Sequence, residues 1–380
     1  MLLNLSEDQQ FFRDTTDRFL TEQVPPDTLR QLRHDPAGYD SAYWRRGAEL
    51  GWTSLLVSEA HGGGTISDAG LVDAGLVAYE FGRHAAPGPL AVVNVVAAAL
   101  SEHDAAPDVL AGVLSGESVA TWCAPPFGSL RWEPTVEASR SGNDLVLRGE
   151  VAIVESAGQA DHLLVTCRDQ GGTGVTQVLV PATTPGVTTA PMHTVDLTRR
   201  FGIVTFDEVT VPASAMVGLA GEAALQVHRQ FEQLIVLLNA ESVGAMQAAF
   251  DMTVEWAFDR YSFGRPLASY QALKHRFADM YMWLQSSHAT SDASCAAVAA
   301  GDAGAAELVS AAKAYIGEYG AELVQDCTQM HGGIGVTFEH DLHLFLRRVT
   351  VNRALAGTPE EHHQRITAFI DAREREGAAA

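Results

Sequence analysis

Positive charge is scarce in this chain: 25 Lys and Arg stand against 47 Asp and Glu, a formal charge of -22 at pH 7. Phosphate backbones and anionic bilayers are bound through clustered Lys and Arg, so neither nucleic acid nor membrane is an expected partner. Cysteine is nearly absent. The four present, Cys123, Cys167, Cys295 and Cys327, share no metal-ligand spacing. They read as reduced core thiols of a cytoplasmic protein, not as a disulfide framework. No basic segment followed by an apolar run opens the chain, so no signal peptide is expected. No run of about 20 apolar residues is available to span a bilayer.

Several catalytic signatures are also missing. His61-Gly62-Gly63-Gly64 matches an oxyanion-loop string, but no G-x-S-x-G accompanies it; Gly116-Glu117-Ser118-Val119 is followed by Ala120. A turn is the expected use. Gly333-Ile334-Gly335 lacks the third glycine of a dinucleotide fingerprint. His331, His340, His343, His362 and His363 fit no zinc spacing, and no metal is expected.

What is present is a long chain, 380 residues with 47% hydrophobic residues, enough for two or three cores. Ser6-Glu7-Asp8-Gln9 has the form of a capping box, and Leu5, Phe12 and Phe19 recur on one helical face. Residues 41–58 and 67–81, and a segment from Ala91 to Leu100 after Pro87 and Pro89, also read as helices. Residues 1–118 are therefore an expected α-helical domain. Near Val119 the texture changes to short β-prone runs: Leu145 to Leu147, His162 to Cys167, Val175 to Val180, Ile203 to Phe206 and Val209 to Val211. Turn signals separate them, predicting an antiparallel barrel or sandwich over 119–217. Over 218–380 the helical period returns. Val243, Gln247, Phe250, Val254 and Ala257 form one stripe; Leu273, Phe277, Tyr281, Leu284 and His288 form another. Leu308, Ala312, Tyr315, Tyr319 and Leu323 form a third, as in a helical bundle. The predicted class is mostly α with a central β domain.

Two separated segments carry the chemistry. Arg260-Tyr261-Ser262-Phe263-Gly264-Arg265-Pro266 leads to Gln271 at the start of a helix. About sixty residues on, Gln329-Met330-His331-Gly332-Gly333 ends another. Glycines let backbone N–H groups approach a ligand, and a guanidinium such as Arg260 meets a pyrophosphate with forked donors. Gln271 and Gln329 each offer an amide.

These motifs resemble the acyl-CoA dehydrogenase family, FAD-dependent enzymes that oxidise acyl-CoA thioesters to 2-enoyl-CoA. Leu50-Gly51-Trp52 with Glu59 to Gly63, and Glu80-Phe81-Gly82-Arg83, resemble its N-terminal runs. Phe206 to Pro212 with Gly218, Arg260 to Met280, and Gln329 to Arg348 resemble later family motifs in family order. The resemblance covers nearly the whole chain. It implies a helical domain, a β-barrel-like domain and a four-helix bundle. It also implies that Arg260, Phe263, Gln271, Gln329, Gly332 and Gly333 contact the pyrophosphate and adenosine end of FAD. Those contacts reach across a subunit interface in the family, so an oligomer is implied. Thr358 would sit near the same cofactor.

The departures fall on the reacting end. The family removes an α-proton with a positioned carboxylate while hydride leaves the β-carbon. The base is usually Glu in Y-E-G-T; here the string is Leu355-Ala356-Gly357-Thr358, with Ala356 lying 27 residues after Gln329. The alternative family position, 26 residues before Arg260, is Leu234, followed by Ile235. Glu241 is a displaced carboxylate on the same helix, roughly 10 Å along the axis from Leu234. Glu232 faces elsewhere, and Thr358-Pro359-Glu360-Glu361 reads as a helix start that occupies Glu361. Ile153 and Glu155 replace the Trp and Thr that pack on the flavin ring. The acidic-Gly stretch is reduced to Ala124-Pro125-Pro126-Phe127-Gly128-Ser129.

The leading expectation is a base-lacking subunit of a heterotetramer, lending adenosine-side contacts to the FAD of a homologous subunit that oxidises an acyl-CoA. Lipid or steroid degradation and transfer to an electron-transfer flavoprotein go with that resemblance. One alternative is an active homo-oligomeric dehydrogenase with Glu241 as base; another is a flavin-free acyl-CoA-binding scaffold.

Overall fold

The computed structural model describes residues 5–127, 132–172 and 174–379. Gly128 and Ser129 of the acidic-Gly stretch lie outside them. In chain order the helices are α1 (Glu7–Gln23), α2 (Pro26–Leu32), α3 (Ser41–Glu49), α4 (Gly70–Arg83), α5 (Leu90–Glu102) and α6 (Pro107–Leu114). Strands follow: β1 (Ala120–Cys123), β2 (Val136–Ser141), β3 (Asp144–Glu155), β4 (His162–Asp169), β5 (Val175–Pro181), β6 (Val187–Met192), β7 (Phe201–Pro212) and β8 (Met216–Val217). Then come α7 (Ala224–Asp259), the short strands β9 (Tyr261–Ser262) and β10 (Arg265–Pro266), α8 (Gln271–Ala300), α9 (Ala305–His331), α10 (Leu342–Ala354) and α11 (Pro359–Ala379). The predicted class is the observed one, mostly helical around a central sheet. The helix read over 41–58 stops at Glu49, because Gly51 takes φ +98° and a run of turns follows.

The chain forms two compact units. One comprises residues 30–74 and 87–234 and contains the sheet, in the order β6-β7-β3-β2-β4-β5-β8, with β1 also on β4. Most ladders are antiparallel, as the turn spacing predicts. β1 and β2 instead lie parallel to β4 and share its edge end to end. Leu147, Val165, Val178, Val180, Val204 and Phe206 bury the sheet's inner face. The His61-Gly62-Gly63-Gly64 run is a turn. His61 bridges Ser58 and Asp104, and a Cβ on Gly63 would strike the Val57 carbonyl at 2.0 Å.

The other unit comprises residues 1–29, 75–86 and 235–380. Here α9 is central, packing against α8, α10 and α11. Phe250 joins α7 to α8 through Phe277 and Tyr281, with ring centroids 6.0 and 5.9 Å apart. Ser6 and Gln9 form the predicted capping box of α1. The α9 stripe is offset from its predicted start: Leu308 is 43% exposed and Val309 takes the core position. α4 and α7 cross at two glycines. A Cβ on Gly82 would lie 1.8 Å from the Glu241 carbonyl, and one on Gly244 1.9 Å from the Tyr79 carbonyl. Only glycine permits that approach, which fixes where the Glu241 side chain leaves α7.

Candidate functional site

The predicted adenosine-side residues gather at one end of the bundle. Trp256, near the end of α7, stacks on His331, the last residue of α9, at 5.2 Å, and the Arg260 guanidinium carbon lies 5.8 Å from the Trp256 ring. This links the Arg260 guanidinium, through Trp256, to the end of α9 that carries His331. Arg276 in α8 pairs with Asp326 and Glu322 in α9, bringing the start of α8 alongside. Between α7 and α8, Leu267 N–H donates to the Arg260 carbonyl at 2.8 Å and closes the β9–β10 hairpin. Its turn residues Phe263 (φ +50°) and Gly264 (φ +80°) are both left-handed, as a tight two-residue hairpin requires. Phe263 holds that unfavourable conformation with its ring 97% exposed.

The backbone at this end is open to a ligand. Gly332 has φ +64° and ψ -139°, a region for glycine, and a Cβ on Gly332 or Gly333 would meet nothing within 4 Å. Gln271 opens α8, whose N-cap Tyr270 makes no side-chain cap. Free N–H groups at a helix start suit a phosphate. Arg260, Gln271 and Gln329 are all exposed. Thr358 is the exception. Its hydroxyl is engaged in the N-cap of α11, receiving the Glu361 N–H at 3.3 Å, while Glu361 Oε2 receives the Thr358 N–H at 2.8 Å.

The loop from Leu355 to Thr358, where the resemblance leads one to expect a base, has a specific shape. Ala356 has φ +54° and Gly357 φ +99°. His362 Nε2 donates to the Ala356 carbonyl at 2.9 Å. Burial lowers the His362 pKa to about 3, so the imidazole is neutral with its proton on Nε2. Leu234 is a buried aliphatic side chain. Glu241 is engaged: Arg348 Nη1 donates to Oε1 at 2.6 Å and Asn352 Nδ2 to Oε2 at 2.7 Å. Arg348 also donates to the Ala85 and Ala86 carbonyls at 3.2 and 3.0 Å. The Lys313 ammonium holds the Asn352 carbonyl from below.

In the sheet unit, Ile153 and Glu155, expected where the family carries its ring contacts, have surroundings of their own. β3 shifts register between Val151 and Val154, and Ile153 sits there at φ +60°, 56% exposed. A β-branched residue in that conformation is strained. Glu155 is buried, and Arg199 grips it with both ends of its fork, Nε to Oε1 at 2.7 Å and Nη2 to Oε2 at 2.5 Å. Burial, Asp161 and Glu155 together push the Tyr39 phenol well above its usual range. Phe127, within the acidic-Gly stretch, and Trp132, beyond it, pack on Phe231 and His228 at 4.7 and 5.3 Å. Neither the Arg199–Glu155 pair nor this aromatic group has a local sequence signature, since each joins residues far apart in the chain.

The N-terminal and C-terminal domain models of acyl-CoA dehydrogenases match residues 6–108 and 225–370. Acyl-CoA dehydrogenase IpdE2 of Mycobacterium tuberculosis is 30% identical over 96% of this chain and 98% of its own. A solved variant of the Tcur3481-Tcur3483 steroid ACAD is 27% identical over 98% of this chain and 99% of that chain, with a TM-score of 0.85. The ChsE4-ChsE5 complex from Mycobacterium tuberculosis shares the fold at a TM-score of 0.86, 24% identity, and coverage of 98% and 99%. The chain belongs to the acyl-CoA dehydrogenase family, whose members depend on FAD.

The residues present fit FAD unevenly. An open glycine backbone, an uncapped helix start, a guanidinium and two amides suit its pyrophosphate and adenosine end. The aromatic face and the hydroxyl expected against its ring are replaced by Ile153 and a carboxylate tied to Arg199.

Proposed function

We propose that this chain is the base-lacking subunit of a heteromeric acyl-CoA dehydrogenase, supplying adenosine-side contacts to the FAD of a homologous catalytic subunit. The observation that carries this reading is Ala356, set in a fully formed base-bearing loop that offers no group to take a proton. FAD, when bound, supplies the hydride acceptor for α,β-dehydrogenation of an acyl-CoA. This chain's part is to hold and orient: Arg260 neutralises pyrophosphate charge, while Gly332, Gly333, Gln271 and Gln329 offer donors and acceptors to the nucleotide end. Phe263 presents its ring from the hairpin tip. Thr358 stays in its cap and shapes the neighbouring loop.

Exposed apolar side chains support a partner on this end of the bundle. Phe258, Tyr261, Phe263 and Val336 are each more than 60% exposed, with Val336 at 77%. Such a patch marks an interaction surface. The two-component names of the solved relatives support a homologous partner, and the steroid ACAD among them supports a bulky, steroid-derived acyl-CoA as the assembly's substrate. Electron-transfer flavoprotein is the proposed electron acceptor, and the cytoplasm the proposed location. No described helix is long and apolar enough to cross a membrane.

The alternative reading, Glu241 as a displaced base, requires the carboxylate to leave Arg348 and Asn352 and strand a buried guanidinium. The flavin-free scaffold leaves the open Gly332-Gly333 backbone without a ligand. The deciding experiment is co-purification with a homologous subunit. A stable heterotetramer that oxidises acyl-CoA, beside an inactive single chain, is expected. A single chain that forms a homo-oligomer and reduces its own FAD with an acyl-CoA contradicts the proposal.

A further inference from the structure

α1 carries Arg13 and Asp17 one turn apart, and α4 ends in Tyr79, Glu80 and Arg83, with His84 next in the chain. Asp17, Glu80 and His84 come together there, one carboxylate oxygen or ring nitrogen from each lying within 4.8 Å of the others. The Glu80 side chain is 4% exposed. Arg13 Nε stands 3.9 Å from Oε1 and Arg83 Nε 3.5 Å from Oε2, and Oε2 has no hydrogen-bond partner among the described residues. His84 Nε2 lies 2.9 Å from Asp17 Oδ1. A buried carboxylate oxygen without a donor is costly, and something must answer it.

A divalent cation answers it poorly. Two guanidiniums already balance the two carboxylates, so a doubly charged ion would add net positive charge within about 4 Å of both. A proton adds one charge, needs no coordination shell and provides the missing hydrogen bond. We propose that Asp17 and Glu80 share a proton, forming a clasp between α1 and the end of α4 that tightens on proton uptake and loosens on proton loss. Neutral His84 orients the pair: its Nε2–H donates to Asp17, and the shared proton rests on Glu80, the more deeply buried of the two carboxyls.

The electrostatics agree with this assignment. Burial, first, and the Asp17 charge and hydrogen bond push the Glu80 carboxyl up to about 7, against the opposing pull of Arg83 and Arg13. Burial lowers the His84 pKa, opposed by Asp17, and keeps the ring neutral. The other titratable groups nearby have different partners. Asp251 of α7 and His288 of α8 act on Tyr79. Arg348 of α10 holds the Ala85 and Ala86 carbonyls.

A carboxyl with a raised folded-state pKa stabilises the closed form fully below its unfolded pKa. That contribution is lost as pH rises through the folded value. Amide hydrogen exchange across α1, corrected for intrinsic rates and measured on the intact assembly, reads the clasp directly. Opening of α1 is expected to increase about tenfold between pH 6 and pH 8. Glu80→Gln keeps the hydrogen bond but cannot ionise, so its α1 protection stays flat over that range. Asp17→Asn removes the repulsion and moves the transition to lower pH, a second readout if Glu80→Gln does not fold. Wild-type protection independent of pH, or an undiminished pH response in both variants, overturns the clasp.

Discussion

Arg348 and Glu241 form an ion pair in which the guanidinium is wholly enclosed, at 0% exposure, and its Nη1 stands 2.6 Å from Glu241 Oε1. Removing one partner of a buried pair leaves the other uncompensated, at a cost of about 3–5 kcal/mol. Glu241→Ala is therefore expected to lower unfolding stability by about that amount. Glu241→Gln, which still accepts from Arg348, is expected to cost less. In the assembled enzyme, Glu241→Gln leaves turnover per folded molecule unchanged. Loss of turnover with normal folding would restore Glu241 as the base.

Ala356 holds a left-handed backbone that costs an L-residue about 1–2 kcal/mol relative to glycine. Ala356→Gly relieves that strain at the expense of a more flexible unfolded chain. The net change in denaturant midpoint is expected to be within about 1 kcal/mol. Ala356→Glu returns the family's carboxylate but not the ring contacts, so the isolated chain is expected to remain inactive. A stopped-flow mix with acyl-CoA checks this.

Glu155 and Arg199 are expected to behave as a coupled pair. Glu155→Thr alone leaves a buried guanidinium and Arg199→Leu alone a buried carboxylate, each costing about 3–5 kcal/mol. The double replacement should be milder than the sum of the singles. Chemical unfolding of all four proteins gives the coupling energy.

The Arg260 side chain is exposed and rests on Trp256, so Arg260→Ala should leave folding intact. A charge-assisted hydrogen bond contributes about 1.5–3 kcal/mol. The FAD dissociation constant of the assembly should rise roughly tenfold to a hundredfold, read by flavin fluorescence. An unchanged affinity would remove Arg260 from the cofactor.

Local signals in the sequence located much of this structure. Ser6 with Gln9 and Thr358 with Glu361 are three residues apart and cap as their spacing predicts. The strands at 162–167 and 175–180 stand where turn residues bracket them. The pairs that define the site's chemistry are of another kind. Glu241 meets Arg348 across 107 residues and Glu155 meets Arg199 across 44. No periodicity encodes such partners; packing of distant elements brings them together. The α8 stripe shows the same boundary. Tyr281 has the spacing of a core residue and packs on Phe250, yet it stays 52% exposed, so the stripe alone overstates its burial.

The central claim is that the chain completes another subunit's FAD site and holds no full site of its own. Flavin absorbance per mole of protein, measured on the purified assembly with its native mass, tests this most directly. The account predicts about two FAD per four chains in the heterotetramer and a colourless single chain. One FAD per chain in a yellow homotetramer would contradict it.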